Sequence, residues 1–228
     1  MDDEGYILNG VTSELFDGSY PPIDDNPSMI RSRPSTQVIT YPLSGPAEYR
    51  GWYHIASGPN SGNSRWCPRQ SKFGGPRRGG TTHRGADLYS HGRERLMAIT
   101  DGNIEYRTPQ PAGWGNHIYL YFRVGGLSYI AIYAHIDSSS AFAGIRSVAG
   151  GDTIGTAGCS GNAGNDGQCW RSFTCDGRIA AEDHLHLELL EFGTNPLRRL
   201  DPIAFFGWTV AFASDLTCEP CAVTDQLI

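Results

Sequence analysis

The residues most able to do chemistry sit in Asp183-His184-Leu185-His186-Leu187-Glu188-Leu189. In a β-strand, successive side chains point to opposite faces. His184, His186 and Glu188 then share one face, and Leu185, Leu187 and Leu189 share the other. The leucine face suits a core, which leaves two imidazoles on a rigid strand to act as metal ligand or base. Two histidines are only part of a zinc ligand set. A second such group lies upstream, where His83 and Asp87 are four residues apart. On a strand or a helical turn that spacing returns both to one face. A histidine with a carboxylate just after the glycine-rich Phe73–Gly80 turn suits a divalent metal of borderline softness. Three ligand-type positions then converge: His83, Asp87 and one of His184 and His186. The other member of that pair and His135 remain for proton transfer.

These groups need strands and turns to position them, and the composition supplies both. The chain has 228 residues, with 29 Gly and 14 Pro and only 18% charged residues. That length suits one domain with extensions, and the Gly/Pro content favours short strands and turns over helix bundles. A net charge of −6 argues against a phosphate-binding surface, and so against nucleic acid as a partner. Arg77-Arg78 and Arg198-Arg199 read as solvated surface. No apolar run approaches the ~20 residues of a membrane span. Met1-Asp2-Asp3-Glu4 lacks the basic start and apolar core of a secretory signal. The expectation is therefore that a signal was removed or that export takes another route. Six cysteines (Cys67, Cys159, Cys169, Cys175, Cys218 and Cys221) point to structural disulfides and an oxidising destination, with the pairing left open.

Along the chain, residues 1–45 read as an N-terminal extension with one strand over Thr36–Tyr41. Residues 46–212 read as the domain, and 213–228 as a tail. A short strand is expected over Tyr49–Ile55. Leu96–Tyr106 reads as a hairpin turning at Asp101-Gly102, and His117–Val124 pairs with Leu127–Ile136 through Gly125-Gly126. In that return strand, alternation places Tyr133 and His135 on one face and the isoleucines on the other. Thr153–Thr156 is a short strand. Ala157–Ala181 reads as a long loop, pinned by cysteines and bordering the site. His54, His91 and His117 have no motif partner and read as structural or surface residues.

The ordered set of motifs resembles the M23 zinc metallopeptidases, of the lysostaphin and LytM type. The matching pieces run from Phe73-Gly74-Gly75-Pro76-Arg77 through His83-Arg84-Gly85-Ala86-Asp87, Asp101-Gly102 and Gly115-Asn116. They continue through Tyr133-Ala134-His135-Ile136, Gly150–Asp152, Ile154-Gly155 and His184-Leu185-His186-Leu187-Glu188 to Asp201-Pro202. The resemblance covers roughly residues 73–206. It implies a mainly β fold: a compact antiparallel sheet with a groove active site, long loops and, here, a disulfide-pinned insertion. It implies one Zn2+ held by His83, Asp87 and His186, with His135 and His184 as catalytic histidines whose roles stay open between them. Tyr133 is expected to line the groove or to pack as an ordinary aromatic.

The implied reaction is hydrolysis of peptide cross-links of bacterial peptidoglycan, with stem peptides as the partner, by a secreted, periplasmic or cell-wall monomer. As an antibacterial toxin it would have an immunity or inhibitor protein. The contrasting expectation is a catalytically silent LytM-like regulator that binds peptidoglycan or a partner. Such a regulator would have lost ligands, and here all five positions are filled.

Overall fold

A computed structural model describes residues 38–50, 54–55, 68–75, 77, 81–90, 93–137, 144–165, 168–169, 171–173, 179–181, 183–194 and 196–212. The expected extension up to residue 37, His91, the tail, and Cys67, Cys175, Cys218 and Cys221 lie outside these residues. The described strands are, in chain order, β1 (Glu48–Tyr49), β2 (His54–Ile55), β3 (Ala86–Tyr89), β4 (Arg95–Met97), β5 (Gly102–Gln110), β6 (Gly115–Val124), β7 (Leu127–Ala134) and β8 (Ile145–Val148). There follow β9 (Thr153–Thr156), β10 (Gly164–Asn165), β11 (Gln168–Cys169), β12 (Arg171–Phe173), β13 (Ile179–Ala181), β14 (His184–Phe192), β15 (Arg198–Leu200) and β16 (Ala211–Phe212). Helix α1 (Pro202–Phe206) is capped by Asp201, whose side chain accepts from the Ile203 and Ala204 amides. This is a standard N-cap arrangement followed by Pro at the first helical position.

The fold is mainly β. Its principal sheet has nine strands in the order β16-β1-β3-β14-β7-β6-β5-β8, with β15 also paired to β14. All pairs are antiparallel except the parallel β1–β16 pair at one edge. β14 is the inner strand that the site depends on, and its alternation is strict. Leu185, Leu187 and Leu189 enter the main core with Ala86, Leu88, Ala131, Tyr133 and Ile203. Each leucine is fully buried, a burial that contributes about 1.5–3 kcal/mol per side chain. Leu190, on the opposite face, packs with Ile130, Ile132, Ala134 and Trp114. The His186 side of the sheet is therefore closed as well as the leucine side.

Three local expectations change. Asp101-Gly102 does not close a hairpin. β4 pairs with β9, while β5 pairs with β6 and β8, and Asp101 instead accepts the Gly150 amide at 2.8 Å. The stretch after β9 is not a plain loop, because it carries the β10–β11 ribbon and the β12–β13 pair, the latter extended by β2. Residues 38–41 form no strand. The Gly125-Gly126 hairpin is present, with Val124 opposite Leu127.

His117 is buried on β6, and its Nδ1–H donates to the Gly115 carbonyl at 3.0 Å. Burial lowers its pKa to about 4. The folded ring thus stays neutral in mild acid, while the same histidine in the unfolded chain takes up a proton near 6.5. Its contribution to stability is complete above about pH 6.5 and is lost as the pH falls toward 4. Between pH 7 and 5, wild type should lose about 2 kcal/mol more than His117→Asn in urea unfolding. Parallel pH curves for the two proteins would contradict this.

Candidate metal and hydrolytic centre

β3 and β14 bring the first two groups together. Their register sets Asp87 directly opposite His186 and Tyr89 opposite His184. Asp87 Oδ1 lies 2.7 Å from His186 Nδ1 and 3.7 Å from His184 Nε2. His83 precedes β3 and is carried in by the bend at Arg84-Gly85. Its Nε2 lies 3.2 Å from Asp87 Oδ1 and 3.1 Å from His186 Nδ1. Glycine is required at 85, since a Cβ there would lie 2.6 Å from the Leu187 carbonyl oxygen and 2.9 Å from His186 Nε2.

Each group is oriented from outside. His83 Nδ1–H donates to the Lys72 carbonyl at 3.0 Å, which turns Nε2 inward. Arg77 holds Asp87 Oδ2 at 2.8 Å and leaves Oδ1 facing the histidines. His186 Nε2–H donates to Glu188 Oε1 at 3.2 Å. Glu188 is itself held by Trp114 Nε1–H at 3.2 Å and by Arg199 Nε–H at 3.1 Å. Such outer hydrogen bonds fix tautomer and ring direction in metal sites.

These donors fit one small divalent cation. Two imidazole nitrogens and one carboxylate oxygen face a common point at separations of 2.7–3.2 Å. Tetrahedral ligands at 2.0–2.1 Å from a metal would stand ~3.3 Å apart. The electrostatics agree. Burial works against charging His186, but Asp87 and Glu188 overcome it and push its pKa up to about 10. The two carboxylates thus favour positive charge at this point, as a cation-binding site requires. Burial would raise Asp87, but His83 and Arg77 keep its carboxyl well below the usual range. His83 is lowered to about 4, by burial first and then by Arg77.

His135 completes the group by an unexpected route. Ala134 is opposite His186, so continued alternation would send His135 to the leucine face with Tyr133. Instead its backbone is left-handed, with φ 61°. That turn brings its ring within 4.8 Å of His184 and 5.7 Å of His186, centroid to centroid. Ile136 takes the place in the main core. A non-glycine residue in this region costs on the order of 1–3 kcal/mol. The His135 amide bond to the Trp114 carbonyl at 2.8 Å and the Nδ1–H bond to the Ser160 carbonyl at 2.9 Å offset it. Burial, reinforced by His184 and His186, holds the His135 pKa well below its ordinary value.

The structure thus gathers His83, Asp87, His135, His184 and His186 in one cluster, each 2–6% exposed. Tyr133 does not line it, because it is fully buried on the other face, where its hydroxyl donates to the Met97 carbonyl at 3.1 Å. Arg77 and Arg199 are not solvated surface residues. Arg77 is 5% exposed and bonds Asp87, while Arg199 bonds Glu188. The FGGPR turn was the available signal for Arg77, and the shared face of His186 and Glu188 was the signal for Glu188. Nothing local marks Ser160. Of the cysteines, Cys159 and Cys169 are joined in a disulfide.

Fold and site define a mainly β protein with a buried His/Asp cluster shaped for one divalent cation. The profile of peptidase family M23 matches residues 81–198, more than half of the 228 residues, and the chain belongs to that family. Among solved structures, the antimicrobial peptidase lysostaphin from Staphylococcus simulans is 24% identical, with 60% of this chain and 48% of lysostaphin covered and a TM-score of 0.42. This chain therefore spans about half the length of that protein. For the lysostaphin catalytic domain the values are 24%, 60%, 89% and 0.40. For a catalytic-domain variant of the prophage-encoded M23 protein EnpA from Enterococcus faecalis they are 23%, 58%, 85% and 0.41. No curated protein matches.

Glu188 is the anchor whose loss should separate metal affinity from folding. Glu188→Gln should keep the circular-dichroism spectrum and weaken divalent-metal affinity by about 10- to 100-fold in chelator competition. Unchanged affinity would contradict the anchoring role.

Proposed function

We propose that this chain is a zinc-dependent endopeptidase that hydrolyses peptide cross-links of bacterial peptidoglycan. Membership of peptidase family M23 supports the peptidase reading, and the observation that carries the metal is the mutual approach of His83, Asp87 and His186. His83 and His186 would hold zinc through imidazole nitrogens and Asp87 through Oδ1. When bound, zinc acidifies water and polarises a carbonyl.

The remaining steps belong to the other two histidines. The Ser160 carbonyl keeps the proton of His135 on Nδ1, leaving the Nε2 lone pair free to accept a proton from the attacking water. The same atom then returns that proton to the leaving amine. His184, stacked on Tyr89 at 4.7 Å, hydrogen-bonds the developing oxyanion. Arg77 and Glu188 hold the ligands still during turnover. We divide the chain into an extension over 1–45, a peptidase domain over 46–212 and a tail over 213–228. The Cys159–Cys169 bridge supports work in an oxidising setting, secreted, periplasmic or at the cell wall, and our proposal adds an antibacterial role there. Among the described residues no helix is long and apolar enough to cross a membrane.

Mass spectrometry of muropeptides digested by the protein tests this reading. Wild type should release peptides cut at one type of cross-link, the two halves differing from the parent by one water. His186→Ala should lose zinc and cleavage together, while His184→Ala should lose cleavage and keep zinc. Full activity of His184→Ala, or no cleavage by zinc-loaded wild type, would sink it. Expressed in a bacterium, the chain should harm cells when sent to the periplasm and not when kept in the cytoplasm. Equal harm from both compartments would remove the cell wall as target.

A further inference from the structure

One short segment touches both histidines that lie outside the three metal-type ligands. The Ser160 carbonyl accepts His135 Nδ1–H at 2.9 Å, and the Gly158 carbonyl accepts the His184 amide at 3.0 Å. Ser160 Oγ accepts the Asn116 amide at 2.9 Å and donates to the Ile136 carbonyl at 2.8 Å. The segment is thereby stitched to the start of β6 and to the chain just beyond β7. The Asn162 amide adds a bond to the Gly113 carbonyl at 3.1 Å. The approach is close enough to demand glycine on both sides. A Cβ at Gly115 would stand 2.3 Å from the Ser160 carbonyl carbon, and one at Gly158 would stand 3.0 Å from the His135 carbonyl oxygen. Between Gly158 and Ser160 lies Cys159, buried and bonded to Cys169 of β11.

We propose that Gly158-Cys159-Ser160 is a strap that positions the hydrolytic histidines, with Ser160 the positioning residue for His135, and that the Cys159–Cys169 disulfide holds the strap in place, so that turnover depends on the oxidised bridge. The proposal rests on the reading of His135 as proton acceptor. His135 sits in a left-handed conformation that its own strand does not impose, so outside contacts must hold it. The Ser160 carbonyl selects the tautomer that leaves the lone pair on Nε2. The bridge ties the middle residue of the strap to Cys169 of the β10–β11 ribbon.

Reduction by a dithiol breaks the S–S bond. Two electrons and two protons pass to the sulfurs of Cys159 and Cys169, and the reductant becomes a disulfide. The chain would keep its metal ligands, which come from other elements, and lose the fixed aim of His135.

The test uses the full zinc-loaded chain and the paired change Cys159→Ser with Cys169→Ser. Imidazole 15N NMR of His135 should report the Nδ1–H tautomer in wild type and a mixture in the double variant. On muropeptides, kcat should fall on the order of 10- to 100-fold, with KM and zinc content within about twofold of wild type. A dithiol reductant should slow wild type to the same level and leave the double variant unaffected, which separates this bridge from the other four cysteines. If the double variant does not fold, Ser160→Ala should give the same tautomer change, and Ser160→Thr should restore it. An unchanged tautomer and kcat in a folded, zinc-loaded double variant would overturn the proposal, as would equal sensitivity of both proteins to reductant. A changed tautomer with unchanged kcat would overturn the dependence of turnover on the bridge and remove His135 from the role of base, leaving only the positioning contact.

Discussion

The arrangement depends on one cross-strand pair, Asp87 against His186 at 2.7 Å. Asp87 Oδ1 is the atom that three imidazoles approach, at 2.7, 3.2 and 3.7 Å. A buried carboxylate is costly unless it is bonded and paired. Arg77 supplies a compact ion pair on the other oxygen, with both side chains nearly inaccessible. That pairing leaves Oδ1 free to serve the centre. A one-residue slip of β3 would send Asp87 into the leucine core, and a one-residue slip of β14 would send both histidines of the pair there. The burial of Leu185, Leu187 and Leu189 guards against such a slip, because their face admits no imidazole without loss. Core packing and site geometry are thus two sides of one strand.

Around that pair, the contacts that fix each histidine differ. His184 and His186 are fixed by strand backbone, and His186 further by Glu188, Trp114 and Arg199. His83 is set by the bend at Arg84-Gly85, by backbone bonds to Gly74 and Gly75 and by the bond to the Lys72 carbonyl. His135 depends on a left-handed residue and on a strap from another part of the chain. The groups proposed to hold metal are thus set by β3, β14 and the bend before β3, and the group proposed to move protons is set by contacts from outside its strand. The same contacts make that group separable from the metal site.

Much of this was legible in the sequence. The Leu-His alternation of 184–189 gives the two faces of β14 correctly, because period 2 is enforced where one face is buried. The histidine and aspartate of 83–87 come together as the spacing implies, although a bend at Gly85 and not a continuous strand carries His83. The side of the sheet reached by His135 was not legible. Alternation predicts a face, and a single left-handed residue reverses it. Arg77 could not be told from Arg78 by composition, since burial of a guanidinium depends on a carboxylate ten residues away. Asp101-Gly102 carried a hairpin signal that tertiary pairing overrode, β4 joining β9 instead. Ser160 reaches His135 through a backbone carbonyl and holds that carbonyl in place with its hydroxyl, and a lone serine in a glycine-rich stretch carries no sequence signal for either.

X-ray absorption at the zinc edge tests the central claim most directly, that His83, Asp87 and His186 converge on one cation. The reconstituted chain should bind one zinc, with a shell of nitrogen and oxygen at about 2.0–2.1 Å, two imidazoles and no sulfur. His186→Ala should remove the bound metal, and His184→Ala should leave the spectrum unchanged. A sulfur shell, a third imidazole that disappears with His184→Ala, or the absence of stoichiometric zinc would contradict the account.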